Sequence, residues 1–110
     1  LSTIGVNRLS HWHNGSVVTR DFDPLEPDLP RATIDDFVGG SPEENAQITY
    51  DILSGKDKGP RRDIVLLNAA AALSVDCNDW AAGLAEVRES IDSGAALDTL
   101  NRWIEKTNRV

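Results

Sequence analysis

The residues best suited to bind a metal ion are His11 and His13. They lie two positions apart in a segment predicted as a β-strand, where alternate side chains face the same side. Both imidazole rings could therefore approach one ion, but a metal site needs a third or fourth ligand and the neighbouring sequence supplies none. We expect two half-exposed histidines beside a turn.

Cys77 is the only cysteine, so no disulfide can form within the chain. It stands between Asp76 and Asp79, and nearby carboxylates disfavour the reactive thiolate. We expect an ordinary turn cysteine rather than a nucleophile. A single thiol also suits a reducing compartment.

A basic loop at residues 55–62 gathers four cationic side chains around two glycines, just before a predicted helix. Helix N-termini attract anions, and lysine and arginine bind phosphate. The spacing is not that of a Walker A loop, which requires Gly-x4-Gly-Lys-Ser/Thr. We expect a solvated loop whose arginines pair with acidic neighbours, with an anion site as the alternative.

Three further polar residues could carry chemistry. Glu43 and Glu44 resemble a carboxylate pair, but they follow Ser41-Pro42, where helix capping already accounts for them. Asn68 is a polar residue inside an apolar helix, and a buried amide needs hydrogen-bond partners. We expect Asn68 to tie this helix to a neighbouring loop, with ligand contact as the alternative. No nucleophile, base and oxyanion hole come together, so no catalytic, substrate-binding or metal-binding residue is assigned.

The elements that would position these residues are a hairpin followed by helices. Asn14-Gly15 predicts a type I′ turn within a hairpin at 7–23. Leu9 and Trp12 are three apart, which leaves open a bulge or an early strand end. Three prolines predict an extended connector at 24–40 that contains a short helical turn. Helical spacing and caps then predict helices at 42–54, 60–75, 80–93 and 95–108.

The segment from Asp63 to Leu73 contains only two polar residues, so a helix formed here is apolar nearly all round. Such a helix is normally packed on every side. A chain of 110 residues has little else to surround it, so we expect part of a larger protein. The chain contains no methionine, which fits that expectation.

The composition narrows the possible functions. The net charge of −7 disfavours nucleic-acid binding, which needs a basic face. No segment approaches the roughly 18 apolar residues of a membrane span, and no signal peptide opens the chain. We therefore expect a cytoplasmic protein with no nucleic-acid or membrane partner.

Three motifs resemble one family. The run Gly39-Gly-Ser-Pro-Glu-Glu-Asn-Ala46 is followed by Lys58-Gly-Pro-Arg-Arg-Asp63 and by Val65-Leu-Leu-Asn-Ala-Ala-Ala-Ala-Leu73. Together they resemble the C-terminal part of the anthranilate phosphoribosyltransferases. The hairpin around Asn14-Gly15, the acidic connector and residues 85–97 are similar to the same family, so the resemblance covers the chain in order.

The resemblance implies an α/β fold of the nucleoside phosphorylase and phosphoribosyltransferase type. Residues 1–110 would be the C-terminal portion of its α/β domain, with a hairpin (7–23) at the sheet margin, a connector (24–40) and a helical part (41–110). The full enzyme would transfer phosphoribosyl from phosphoribosyl pyrophosphate to anthranilate in tryptophan biosynthesis. It would use Mg²⁺ to neutralise the diphosphate, and it would be a homodimer.

The resemblance places the chemistry elsewhere in the enzyme. The family's glycine-rich pyrophosphate loop and its magnesium-binding Asp-Glu pair precede the segment that matches Leu1. The expected role of this segment is therefore structural, its partner is the remainder of the enzyme chain, and the isolated chain should be inactive. Two alternatives stay open: a pyrimidine-nucleoside phosphorylase of the same fold, and a free-standing interaction module that docks through Val65–Leu73.

Overall fold

The chain forms a hairpin, an irregular connector and four helices, in that order. A computed structural model describes residues 1–109. The elements are β1 (Asn7–His13), β2 (Ser16–Phe22), a short 3₁₀ helix (Ile34–Phe37), α1 (Pro42–Leu53), α2 (Pro60–Leu73), α3 (Trp80–Asp92) and α4 (Ala95–Thr107). This order confirms the prediction of a hairpin followed by four helices.

The hairpin is regular from end to end. Asn14 and Gly15 both have positive φ, at 49° and 80°, as a type I′ turn requires. Antiparallel pairing runs without interruption from Asn7 opposite Phe22 to His13 opposite Ser16. The possible bulge is therefore not formed, and Leu9 and Trp12 simply face opposite sides of the ribbon.

The two faces of the hairpin differ in burial. On the outer face, the hydroxyls of Ser10 and Thr19 are hydrogen-bonded at 2.9 Å, and Arg8 pairs with Asp21 at 3.5 Å. On the inner face, Phe22 is buried and Leu9 packs against the core. The inner face therefore joins the hairpin to the helices.

The core lies between the hairpin, the connector, α2 and α3. Phe22 stacks on Trp80 with ring centroids 4.5 Å apart and an interplanar angle of 24°. Leu29 of the connector is fully buried in the same cluster. The helices complete it with Leu66, Leu67, Ala70, Leu84, Val87 and Ile91. One continuous cluster therefore joins the hairpin and the connector to α2 and α3.

Helix α2 is buried along one side only: as expected, this chain has too little else to surround the apolar helix. Leu66, Leu67 and Ala70 are buried, whereas Asn68 and Leu73 are exposed, Leu73 by 47%. The physical reason is that α3, Phe22 at the end of β2 and the 3₁₀ helix contact α2, and these described elements leave the side with Asn68 and Leu73 uncovered.

Helices α1 and α4 bury few of their apolar side chains. In α1 only Ile52 is buried, and Ala46 is exposed. In α4 none of the described residues is buried, and Trp103 and Ile104 are exposed by 65% and 45%. Both helices lie at the margin of the core, so their apolar sides face outward in part.

Within residues 1–109, no helix combines the length and the apolar character needed to cross a membrane. The longest one, α2, has 14 residues, and its first turn contains two arginines and an aspartate.

Candidate functional site

A cleft of about 670 Å³ lies between the inner face of the hairpin and the turn that follows α2. Its lining includes His11, His13, Val18, Ala71, Val75 and Cys77. This hairpin cleft brings together the two histidines and the cysteine that the sequence singled out. More than 60 residues separate Cys77 from the two histidines along the chain, and no local pattern reveals such a long-range contact.

The two histidines are neighbours, with ring centroids 5.7 Å apart and planes inclined by 43°. His11 is half-buried and His13 is exposed. Nε2 of His11 is enclosed and has no hydrogen-bond partner among the described residues. No three His, Cys, Asp or Glu side chains of residues 1–109 converge as a metal site would require. The residues present therefore do not fit Mg²⁺, and no step through a metal is assigned to them.

Cys77 lies exposed in the turn between α2 and α3, as predicted. The same turn contains Ser74, which is buried and donates its hydroxyl to the carbonyl of Asp79 at 3.0 Å. The turn is therefore anchored at Ser74, while the thiol projects at the rim of the cleft.

Two of the four cations of the basic loop pair with carboxylates of this chain. Lys56 pairs with Asp51 at 3.2 Å, and Arg62 pairs with Asp92 at 2.7 Å. The prediction of an acidic partner is wrong for Arg61, which donates to the carbonyl of Val38 at 2.8 Å. That carbonyl lies beyond the 3₁₀ helix, so sequence proximity could not reveal it.

Two carboxylates, those of Asp57 and Asp63, lie at the start of α2. The amide of Gly59 donates to Oδ1 of Asp57 at 2.8 Å, so a carboxylate already takes this donor. Asp63 follows in the first turn, and burial raises the pKa of its carboxyl, while the charges of Arg62 and Arg88 oppose this rise. A second anion would be repelled by these two carboxylates, which favours the solvated-loop interpretation.

Asn68 contacts main chain. Its Nδ2 donates to the carbonyls of Leu1, at 2.8 Å, and Ile64, at 2.9 Å, and its Oδ1 accepts from the nitrogen of Leu1. The predicted hydrogen-bonded node is confirmed, but the expectation of burial is wrong, because Asn68 is exposed.

The Gly-Gly-Ser-Pro-Glu-Glu-Asn motif is a closed helix cap. Ser41 and Glu44 exchange hydrogen bonds of 3.2 and 2.7 Å, which confirms the predicted capping box. Asn45 brackets Gly40 with two further bonds of 3.0 and 3.1 Å. A Cβ on Gly39 would lie only 2.7 Å from Oδ1 of Asn45, which explains the glycine. The Glu44 carboxylate is therefore engaged in structure rather than in acid–base work.

These contacts hold the local structure of the loops and helix ends together. The family membership of the chain follows from comparison with known proteins. The family model described as "Glycosyl transferase family, a/b domain" matches residues 1–97, so the chain belongs to this glycosyl transferase family. The α/β fold class and the resemblance drawn from the motifs are thereby confirmed, because the similar proteins are anthranilate phosphoribosyltransferases.

Two curated relatives illustrate the similarity. The anthranilate phosphoribosyltransferase of Desulfosudis oleivorans is 45% identical over 109 residues, which are 97% of this chain and 32% of the relative. That of Salinibacter ruber is 52% identical over 85 residues, 76% of this chain and 25% of the relative. The chain thus spans about a third or less of the length of these relatives.

Solved structures show the same fold. The yeast (Saccharomyces cerevisiae) anthranilate phosphoribosyltransferase in complex with 4-fluoroanthranilate matches 99% of this chain and 32% of its own, with a TM-score of 0.88 and 28% identity. The Thermus thermophilus enzyme matches 96% of this chain and 31% of its own, with a TM-score of 0.79 and 33% identity. A yeast variant with Mg bound has a TM-score of 0.86.

Proposed function

We propose that this chain is the C-terminal portion of an anthranilate phosphoribosyltransferase. The complete enzyme transfers a phosphoribosyl group from phosphoribosyl pyrophosphate to the amino nitrogen of anthranilate and releases pyrophosphate. The observation that carries the proposal is the 45% identity to the Desulfosudis oleivorans enzyme over 97% of this chain. The reaction belongs to tryptophan biosynthesis, and we place the enzyme in the cytoplasm as a homodimer.

Within that enzyme, residues 1–110 act as structural support. Lys56 and Arg62 of the basic loop are paired with carboxylates of this chain, and the Glu44 carboxylate is part of a cap. Mg²⁺ would neutralise the diphosphate leaving group when bound to the complete enzyme. The described residues supply no ligand set for it, so its ligands belong to the remainder of the polypeptide.

A chimera tests this proposal. The matched third of the Desulfosudis oleivorans enzyme is replaced with this chain, and formation of pyrophosphate is measured with anthranilate and phosphoribosyl pyrophosphate. We expect transfer by the chimera, and none by the isolated 110-residue chain or by the relative without its matched third. A folded chimera without transfer would contradict the proposal, as would turnover by the isolated chain.

The transferase chimera alone does not distinguish the phosphorylase alternative, because in our proposal the substrate pockets lie outside this chain. A reciprocal exchange is therefore needed. Insertion of the chain into a pyrimidine-nucleoside phosphorylase should yield no phosphate-dependent cleavage of a nucleoside. Recovery of that activity, together with failure of the transferase chimera, would favour the phosphorylase.

A further inference from the structure

We propose that the hairpin turn is a site of spontaneous covalent modification, in which the carboxamide of Asn14 is lost as ammonia. The main-chain nitrogen of Gly15 loses its proton and attacks Cγ of Asn14. The bond from Cγ to Nδ2 breaks, ammonia leaves with that proton, and a five-membered succinimide ring remains. Water then opens the ring at one of its two carbonyls: opening at Cγ leaves aspartate at position 14, and opening at the main-chain carbonyl leaves isoaspartate. This inference does not depend on the proposed function.

The first support is the residue that follows the asparagine. The chain contains seven asparagines, and Asn14 alone precedes a glycine. Glycine has no Cβ, so Gly15 does not shield its own nitrogen from the carbon that it attacks. A Cβ built on Gly15 would meet no atom within 4 Å, so neighbouring residues do not crowd this position either.

The second support is the contrast with asparagines whose carboxamides are held. Oδ1 of Asn7 accepts from the nitrogen of Ser2 at 2.8 Å, and its Nδ2 donates to the carbonyl of Ser2 at 2.8 Å. The carboxamides of Asn45 and Asn68 are bonded to main chain in the same way. Asn14 is exposed at the tip of the hairpin, and no hydrogen bond from residues 1–109 fixes its carboxamide. Its Cγ is therefore able to rotate toward the next nitrogen.

The third support is the ease with which this turn opens. The ring needs a rotation about the Cα–C bond of Asn14 that the closed type I′ turn does not provide, so the turn must open before the reaction. Residues 12–21 are all exposed, and the pair of His13 with Ser16 is the last one before the turn. Opening here breaks few buried contacts, and such regions open locally at the lowest free-energy cost.

The two products differ in their effect on the hairpin. Aspartate preserves the turn, because Asp-Gly is also a favoured type I′ pair. Isoaspartate carries the main chain through Cγ and so adds a CH₂ group to it, and the lengthened connection no longer holds His13 opposite Ser16. Both products add a negative charge to the cleft, which Asp76 also lines. We expect the isoaspartate form to have a loosened hairpin end.

Peptide mass spectrometry tests the proposal on the 110-residue chain and on the chimera described above. Each protein is incubated in mildly alkaline buffer with and without urea, and synthetic hairpin peptides with aspartate or isoaspartate at position 14 are the standards. In buffer, we expect Asn14 to convert at least about tenfold faster than Asn101, whose main chain is held within α4. Urea should accelerate the conversion at Asn14 in a folded protein, because the turn is then open.

Asn14→Gly is the matched control, because Gly-Gly also forms a type I′ turn and has no carboxamide. Its hairpin peptide should keep its mass, and a mass change there would place the modification at another residue. An Asn14 that stays intact in the folded chimera while the chain in urea converts would overturn the proposal. Equal rates at Asn14 and Asn101 in buffer would overturn it too. So would equal rates at Asn14 in a folded protein with and without urea, since opening of the turn would then not control the reaction.

Discussion

The carboxamide of Asn68 holds the main chain of Leu1 on both sides, although the two residues are 67 positions apart. Oδ1 accepts from the nitrogen of Leu1 and Nδ2 donates to its carbonyl at 2.8 Å. Leu1 itself packs against the core. A polar residue in the middle of an apolar helix thus fixes the segment that leads into the hairpin, which gives the asparagine of the Leu-Leu-Asn-Ala motif a physical role.

Asn68→Ala should destabilise the chain by about 1 kcal/mol, because the main-chain groups of Leu1 lose their partners. Asn101→Ala is a suitable control, since Asn101 is also an exposed helical asparagine and its replacement reports only the gain in helix propensity. Urea unfolding of both variants measures the difference. If Asn68→Ala is as well tolerated as Asn101→Ala, the hydrogen bonds between Asn68 and Leu1 contribute nothing to stability.

Gly83→Ala should destabilise the crossing of α2 and α3 by about 1–3 kcal/mol, because the crossing has no room for a methyl group. A Cβ there would lie 2.6 Å from Oγ of Ser74 and 3.1 Å from the carbonyl oxygen of Ala70. At an uncrowded helical position the same substitution stabilises. Thermal or urea unfolding gives the sign of the change in stability. A stabilised variant would show that Gly83 does not lie this close to Ser74 and Ala70.

A double-mutant cycle tests whether the Ser74 hydroxyl causes the destabilisation expected from Gly83→Ala. Ser74→Ala removes the hydroxyl nearest to the new methyl group, so the penalty of Gly83→Ala should be smaller in the Ser74→Ala background. Part of it should remain, since the carbonyl of Ala70 is main chain and cannot be removed. Strictly additive effects would place the strain somewhere other than this hydroxyl.

Asp92→Ala should cost about 1 kcal/mol, because it leaves a largely buried guanidinium without its carboxylate. Only 12% of the Arg62 side chain is exposed; its Nη2 donates to Asp92, and its Nε has no hydrogen-bond partner among the described residues. Asp92 is 54% exposed, so water reduces the loss. Glu105→Ala is the control: its pair with Arg109 is exposed at both ends and 3.8 Å long, so its removal should change little. Equal effects in urea unfolding would count against the Arg62 pair.

The Asp63 carboxyl should make the chain less stable as the pH rises through its titration range. Burial raises its pKa in the folded state, so between the unfolded and the folded pKa the folded chain binds more protons than the unfolded chain. Stability from this group is therefore highest below that window and falls as the pH rises across it. Asp63→Asn removes the titration.

Urea unfolding of the parent and of Asp63→Asn from acid to neutral pH measures this effect. The stability of the variant relative to the parent should increase with pH across the window. Asp98→Asn, in the first turn of α4, corrects for the loss of an acidic side chain near a helix N-terminus. A difference between parent and Asp63→Asn that stays constant with pH would contradict the burial of this carboxyl.

Local signals in the sequence determined the elements and their ends. Asn14-Gly15 specifies positive φ at two successive residues, and Ser41 with Glu44 specifies a capping box, so both features follow from chemistry within a few residues. The same holds for several helix ends: Gly55 follows the end of α1, Gly59 precedes α2, and Gly94 separates α3 from α4. The resemblance to one family likewise rests on short motifs.

The tertiary structure alone decided which partners meet across long separations. No pattern in the sequence links Asn68 to Leu1, Arg62 to Asp92, or the inner face of the hairpin to the turn at Ser74, because each contact depends on how α2 packs on α3 and β2. It also decided that α2 is covered on one side only. Apolar periodicity states which side chains can be buried, whereas burial itself depends on which other elements are present to cover them.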